Sequence, residues 1–295
     1  MKEKKIYALG FFDGVHLGHQ SLLAACCQMA KEQGAIPAAL TFDLPPTAVL
    51  NGQKPNMINT LAGREQLLKF YGMEQVHIYP ATPETLAVSW QDFLSQILTD
   101  AAGFICGEDY RFGRNGAGDA DKLANFAAQH GIQCSIIPQQ SFDGQKISST
   151  RIRSYLEAGE LEKANELMGH PHILTGKVVH GQHLGRTIGV PTANLEMPIT
   201  LLTPAFGVYA CKVEMDGQVY MAVTNVGTRP TVNGRNVTVE PWILDYSGDL
   251  YGREISLQFY QFLRSERKFD SLQELQQQIQ MDTEQTKKYL KVSSN

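Results

Sequence analysis

The chain has 295 residues, 43% of them hydrophobic and 19% charged, which fits an ordinary folded protein with apolar material for two cores. A net charge of −4 argues against a broad electrostatic grip on nucleic acid, and no apolar run reaches the length of a membrane span. The five cysteines form no C-x-x-C pair and read as reduced thiols, and the start Met1–Lys5 does not read as a secretory signal, so a cytoplasmic protein is expected.

Short apolar runs at Ile6–Leu9, Pro37–Phe42, Val76–Tyr79, Gly103–Cys106 and Gln133–Ile137 suit buried parallel strands. Helical stretches separate them. Leu22, Leu23, Cys26, Met29 and Ala30 share one helix face that Gly34 would end, and Ser89 with Asp92 opens another helix. Leu123, Phe126 and Ala127 ahead of Gly131 mark a third. This alternation predicts an N-terminal doubly wound parallel sheet of Rossmann-like α/β type, with ligands at the carboxyl ends of the strands. Ser149–Gly169 reads as a helical connector broken at Gly159. Beyond it the rhythm changes to β segments at Ile173–Val179, Gly207–Glu214, Val219–Val226, Val237–Tyr246 and Glu254–Leu263, with Asp216-Gly217 as a hairpin turn. Ser271 with Glu274 caps a final helix. The expectation is an antiparallel barrel, or a sandwich, closed by that helix. The expected domains are 1–155 and 171–295, joined by a linker over 156–170.

The segment Gly10–His19 follows the first strand and opens the first helix. Small residues there let the backbone approach a phosphate, and the free N–H groups of a helix start favour an anion. His16 and His19 bracket Gly18 and can both face one charged group, although simple helix capping is an equally plain reading. His16-Leu17-Gly18-His19 resembles the HxGH signature of nucleotidylyltransferases, and Phe12–Gln20 resembles its form in bacterial FAD synthetases. Thr41-Phe42-Asp43-Leu44-Pro45-Pro46, Gly107-Glu108-Asp109-Tyr110-Arg111-Phe112-Gly113 and Ile147-Ser148-Ser149-Thr150-Arg151-Ile152-Arg153 resemble the family's later motifs, in order. Taken singly, Asp109 reads as a turn former, Arg111 as surface charge and Ser148–Thr150 as an N-cap cluster. The resemblance implies in-line attack by the FMN phosphate on the α-phosphorus of ATP, with pyrophosphate leaving and Mg²⁺ bridging the triphosphate oxygens. By the same resemblance His16 and His19 stabilise the α-phosphate, and Ser148, Ser149 and Arg153 the leaving group. Asp13, Gly14, Gly18, Asp109, Arg111 and Thr150 complete the adenylyl-transfer site.

The C-terminal half has no G-x-x-x-x-G-K-[ST], which excludes a Walker-type kinase by pattern. It carries instead a glycine-rich basic stretch from Gly176 and Lys177 through Gly181, Gly185, Arg186 and Gly189 to Pro191-Thr192-Ala193-Asn194, suited to wrapping phosphates. Thr192 and Asn194 offer a hydroxyl and an amide oxygen to Mg²⁺, or are ordinary turn residues. His180 and His183 are a poor zinc set without cysteine nearby. This stretch resembles the riboflavin kinase signature, and together the two resemblances identify the chain with bacterial bifunctional riboflavin kinase/FAD synthetases. That implies ATP-dependent conversion of riboflavin to FMN and of FMN to FAD, with riboflavin, FMN and ATP as small-molecule partners and neither nucleic acid nor membrane involved. Glu240 aligns with the family's catalytic carboxylate, while Asn225, Arg229 and Arg264 are flavin-side candidates. One departure stands out: Pro241-Trp242 follows Glu240 where the family shows a small hydroxyl residue and then histidine or tyrosine. The rival expectation is that only one half is active, the barrel serving as a flavin-binding sensor.

Overall fold

The computed structural model describes residues 3–180, 190–231 and 234–292. The chain divides into two compact units, Met1–Asn56 with Leu61–Ser149, and Met57–Thr60 with Thr150–Asn295.

The first unit runs β1 (Lys5–Leu9), α1 (Leu17–Gln33), β2 (Ile36–Phe42), α2 (Pro46–Leu50), α3 (Leu61–Phe70), β3 (Gln75–Tyr79), α4 (Pro83–Leu86) and α5 (Trp90–Ile97). It continues through β4 (Ala101–Gly107), the short pair β5 (Arg111–Phe112) and β6 (Gly118–Asp119), α6 (Ala120–Gln129) and β7 (Gln133–Ile137). A small hairpin, β8 (Ser141–Phe142) and β9 (Gln145–Lys146), then leads to α7 (Ser149–Ala158), where the second unit takes over. The five-stranded sheet has the order β3-β2-β1-β4-β7, and every neighbouring pair is parallel. Ile6, Tyr7, Ala8 and Leu9 are all buried, as a central strand covered on both faces requires. Helix α1 buries Leu22, Leu23, Cys26, Met29 and Ala30 and ends at Gly34, whose N–H closes on the Ala30 carbonyl. Because the order turns around at β1 and β4, the loops leaving these strands flank the switch point where α/β sheets bind ligands.

In the second unit α7 gives way at Gly159 (φ 77°) to α8 (Leu161–Met168). The strands β10 (His172–Val179), β11 (Asn194–Glu196), β12 (Gly207–Met215), β13 (Gln218–Thr231), β14 (Gly234–Ile243) and β15 (Glu254–Arg264) form a closed barrel, followed by α9 (Leu272–Val292). Pairing is antiparallel throughout the barrel. The β12–β13 turn places Asp216 and Gly217 at φ 52° and 73°, the doubly left-handed turn that matches strand twist. At the start of α9 the Glu274 N–H donates to Ser271 Oγ (3.1 Å), while the Glu274 carboxylate accepts from the Asp270 N–H rather than from the cap residue itself. The segment Met57–Thr60 was not legible as part of this unit. Its Met57 N–H donates to the Thr200 carbonyl, and its carbonyl accepts from the Leu202 N–H. These are backbone contacts, which side-chain patterning does not encode.

Candidate active sites

The loop from β1 to α1 is bent against the usual preference of its residues. Phe12 (φ 56°) and Val15 (φ 36°) join Gly14 (φ 80°) in left-handed backbone, and a β-branched residue there costs roughly 1–3 kcal/mol. The surroundings fix the loop at nearly every carbonyl. Phe11 O accepts from Thr41 Oγ1 (2.9 Å) and Arg64 Nη1 (2.8 Å), and Asp13 O accepts from Ser149 Oγ (2.8 Å). Val15 O accepts from Gln20 Nε2 (2.9 Å). Asp13, Phe12 and Val15 are fully buried.

This loop delivers His16 as the N-cap of α1, its Nδ1 accepting the His19 N–H at 3.3 Å. The acceptor role leaves the proton of a neutral His16 on Nε2. The rings of His16 and His19 stack at 3.6 Å, and His19 meets the edge of Phe12 at 5.3 Å. A methyl on Gly18 would lie 3.3 Å from the His16 ring, so the glycine between the histidines makes room for the stack. Burial, then the nearby His16 and Arg64, hold the pKa of His19 well below its ordinary value, which keeps the His19 ring neutral at pH 7. His19 Nδ1 is buried with no hydrogen-bond partner among the described residues.

Other expected residues of this site are placed differently. Asp109 lies in the turn after β4 and pairs with Lys146 of β9 at 2.6 Å, in an exposed ion pair. Arg111 is exposed and faces Asp119 at 3.5 Å. Ser149 donates its hydroxyl proton to Asp13 O, so it braces the loop and does not have that proton to give to a phosphate at the same time. Thr150 and Arg153 lie in α7 beyond the division between the units.

Sequence reasoning missed Arg64. It sits in α3 at the phase that buries Gly63, Leu67 and Leu68, and it is 0% exposed. Besides Phe11 O, its guanidinium donates to Phe42 O (2.6 Å) and Asp43 O (3.1 Å), and it lies over the Phe11 ring at 4.6 Å. Burial pulls its pKa down to about 10 against the opposing pull of Asp13 and Asp43, which leaves it charged at pH 7. The only signal in the sequence was an arginine in step with buried leucines.

In the barrel, Glu240 on β14 faces Asn225 on β13 across the ladder, and the next pair is Pro241 with Thr224. Alternation sorts these into two faces: Val239, Pro241 and Ile243 are buried, while Glu240 and Trp242 are partly exposed on the other side. Pro241 O accepts the Ala193 N–H at 2.9 Å. The nitrogen and carbonyl of one strand residue point the same way, so the missing N–H of Pro241 faces the short strand β11 and costs no bond to β13. The departure at Pro241 is therefore accommodated in the ladder. The same bond brings Thr192-Ala193-Asn194 alongside Glu240-Pro241, with Asn194 opposite Val179.

Asn225 Nδ2 also donates to Glu266 at 3.4 Å, and the Glu266 carboxylate occupies the space where a side chain on Gly227 would stand. Glu266 is a second carboxylate beside Asn225 that the sequence reading did not single out. Arg264 is committed elsewhere: its Nε and Nη2 grip Asp282 of α9 at 3.0 and 2.8 Å, and Gln278 supports the same carboxylate at 2.7 Å. That fork anchors the final helix to β15. Gly176 and Lys177 stand within β10, ahead of the glycine-rich stretch, and His180 stacks on Tyr251 at 3.9 Å. Gly181, Gly185, Arg186 and Gly189 lie outside the described residues. Arg229 falls in β13 opposite Asn236, its side chain outside the description. Among the described residues no cluster of three or more His, Cys, Asp or Glu is placed to hold a metal, and no helix is long and apolar enough to cross a membrane.

Comparison with known proteins places both units. The FAD synthetase family model matches residues 1–151, and the riboflavin kinase family model matches residues 168–290. The bifunctional riboflavin kinase/FMN adenylyltransferase of Listeria monocytogenes is 34% identical over 97% of this chain and 92% of its own length. That of Bacillus subtilis is 33% identical over 97% and 92%. The crystal structure of a Streptococcus pneumoniae protein described as a macrolide-efflux protein matches with a TM-score of 0.87 and 32% identity, covering 97% of this chain and 95% of that one. The efflux description stays with that protein, and the likeness carries fold. With both units matched in order and relatives above 30% identity over nearly their full length, the chain belongs to the bifunctional riboflavin kinase/FMN adenylyltransferase family.

Proposed function

We propose that the second unit phosphorylates riboflavin to FMN with ATP, and that the first adenylylates FMN to FAD with release of pyrophosphate. The observation that carries this reading is the paired placement of the two sites. A stacked histidine pair stands at the switch point of the sheet, and a carboxylate on the barrel ladder stands beside Thr192 and Asn194.

In the first unit, a phosphate oxygen of FMN attacks the α-phosphorus of ATP, and the bond to the β-phosphate breaks with its electron pair leaving on pyrophosphate. His16 and His19 donate to the α-phosphate oxygens as charge builds there. The start of α1 adds unpaired N–H groups of its first turn. Ser149 acts on this step by bracing Asp13, and Ser148 remains a candidate for the leaving group.

In the second unit, Glu240 takes the proton of the ribityl 5′-hydroxyl as that oxygen attacks the γ-phosphorus, and ADP leaves. Asn225 is the nearest polar neighbour of Glu240 across the ladder and is held from its other side by Glu266. The hydroxyl of Thr192 and the amide oxygen of Asn194 are hard oxygen donors of the kind that suits Mg²⁺, which when bound with ATP neutralises charge on the phosphate oxygens. All cysteines of the chain are free thiols, which supports a reducing, cytoplasmic setting. The sensor reading rested on Pro241-Trp242, and the fit of Pro241 in the ladder takes that support away.

Chromatography of riboflavin incubated with the protein, ATP and Mg²⁺ tests the reading. FMN followed by FAD is expected. FAD formed only from supplied FMN would leave the barrel a sensor, and no conversion of either flavin would overturn both assignments.

A further inference from the structure

We propose that Arg64 is a positioning residue for adenylyl transfer: its buried guanidinium holds the loop Phe11–Val15 in its left-handed conformation and thereby sets the His16–His19 pair. The inference rests on the reading of the first unit as the adenylyltransferase.

Three observations carry it. The loop that presents His16 is strained at Phe12 and Val15, and such backbone persists only where its surroundings over-determine it. The Phe11 carbonyl, one residue before the strain begins, is gripped twice, by Thr41 and by Arg64. The same guanidinium ties Phe42 O and Asp43 O, so a single planar fork fixes the exits of β1 and β2 relative to each other. A lysine presents its donors from one point and does not reach all three carbonyls. Arg64 donates to the carbonyls of Phe11, Phe42 and Asp43, all at the exits of β1 and β2 that carry the site, so its loss would destabilise this loop in particular as well as the fold.

Position also gives Arg64 an electrostatic role. The charged and titratable groups that act on His19 are His16 from the start of α1 and Arg64 from α3, while Asp13 of the loop and Asp43 after β2 act in turn on Arg64. Removing the arginine cation relieves one of the influences that disfavour protonation of His19.

The test compares Arg64→Met, Arg64→Lys and Thr41→Val in the full chain, following FMN to FAD and riboflavin to FMN separately across pH, with thermal unfolding alongside. In Arg64→Met, kcat for FAD formation should fall about 10²-fold, the loss expected when catalytic groups are displaced by about 1 Å. Arg64→Lys and Thr41→Val should lose less in the same direction, and FMN formation should hold in all three. Any pH dependence of FAD formation that comes from His19 should shift upward in Arg64→Met, while burial and His16 still hold that group below its ordinary range, and should stay in place in Arg64→Lys. A loss that only tracks the folded fraction, with an unmoved pH profile, would make Arg64 structural and overturn the inference. Full FAD formation in both Arg64 variants would do the same. If Arg64→Met does not fold, the other two variants decide. A parent chain that forms no FAD from FMN would overturn the parent reading instead, which the variants alone cannot do.

Discussion

The two units hold their reactive side chains by different means. In the first, the histidines sit on a bent loop and a helix start, and that geometry is enforced by side chains reaching in from α1, β2, α3 and α7 to loop carbonyls. In the second, Glu240 and Asn225 sit on adjacent strands, and the ladder register alone puts them opposite each other. A loop site is expensive to build, but it gathers backbone donors around a phosphate. A ladder site needs little support because a slip of one residue would turn Glu240 to the buried face together with the whole strand. Function should accordingly be lost in the first unit through supporting residues, and in the second mainly through the reacting residues.

The largest expected effect breaks the ladder site at its chemistry. Glu240→Gln should lower FMN formation about 10³-fold, within the range for loss of a general base, while FAD formation from supplied FMN is unchanged. Kinase activity that survives this change would remove Glu240 from the mechanism. On the loop side, His19→Gln should lower FAD formation by about 10² and spare FMN formation, and equal losses in both activities would indicate misfolding instead.

Next comes the anchor of α9. Asp282→Ala leaves the half-buried Arg264 guanidinium without its partner and should destabilise the barrel by about 3 kcal/mol. With Trp90 in the first unit and Trp242 in the second, fluorescence of Trp90→Phe and Trp242→Phe backgrounds reports each unit's unfolding separately. A shift seen only through Trp90 would contradict the assignment.

The smallest effect concerns pH. His172 opens β10 fully buried, and desolvation lowers its pKa to about 3, with neither ring nitrogen partnered among the described residues. Its folded form resists protonation, whereas the unfolded form takes a proton near pH 6.5. The contribution of this group is therefore complete above that value and declines as pH falls toward 3. Between pH 7 and pH 5 the barrel should lose about 2 kcal/mol from this group, and His172→Phe should flatten that part of the profile. Denaturant titrations read through Trp242 at both pH values would show it, and an unchanged slope in the variant would exclude His172 as the cause.

Much of this organisation was legible from side chains. Short apolar runs gave the five parallel strands to within a residue or two, because the central β1, β2 and β4 are buried and apolar almost throughout, and the edge strands β3 and β7 keep apolar positions at partial exposure. Gly34, Ser89 and Asp216-Gly217 marked ends and turns through local backbone chemistry. The histidine pair and Glu240 were found through their resemblance to family motifs, and the structure puts each on the element expected. The pairing of Arg264 with Asp282 was not legible, because a charged residue near a flavin motif looks the same in sequence whether it faces a ligand or a carboxylate of α9. The helix carrying Arg64 was passed over because its apolar stripe is interrupted by the very arginine that matters.

By itself, then, the sequence determined two folding units and their order and pointed to the candidate site residues, since each follows from local periodicity, turn chemistry and motif. Tertiary structure decided which charges are spent on holding the fold and which are left for chemistry. Arg64 reaches carbonyls 21 to 53 residues away in the chain, and Arg264 reaches a carboxylate 18 residues away. It also decided that Pro241 is harmless, because only the register shows which neighbour its missing N–H would have faced. Long-range pairing of this kind is set by how the chain closes on itself, and no local pattern of residues specifies it.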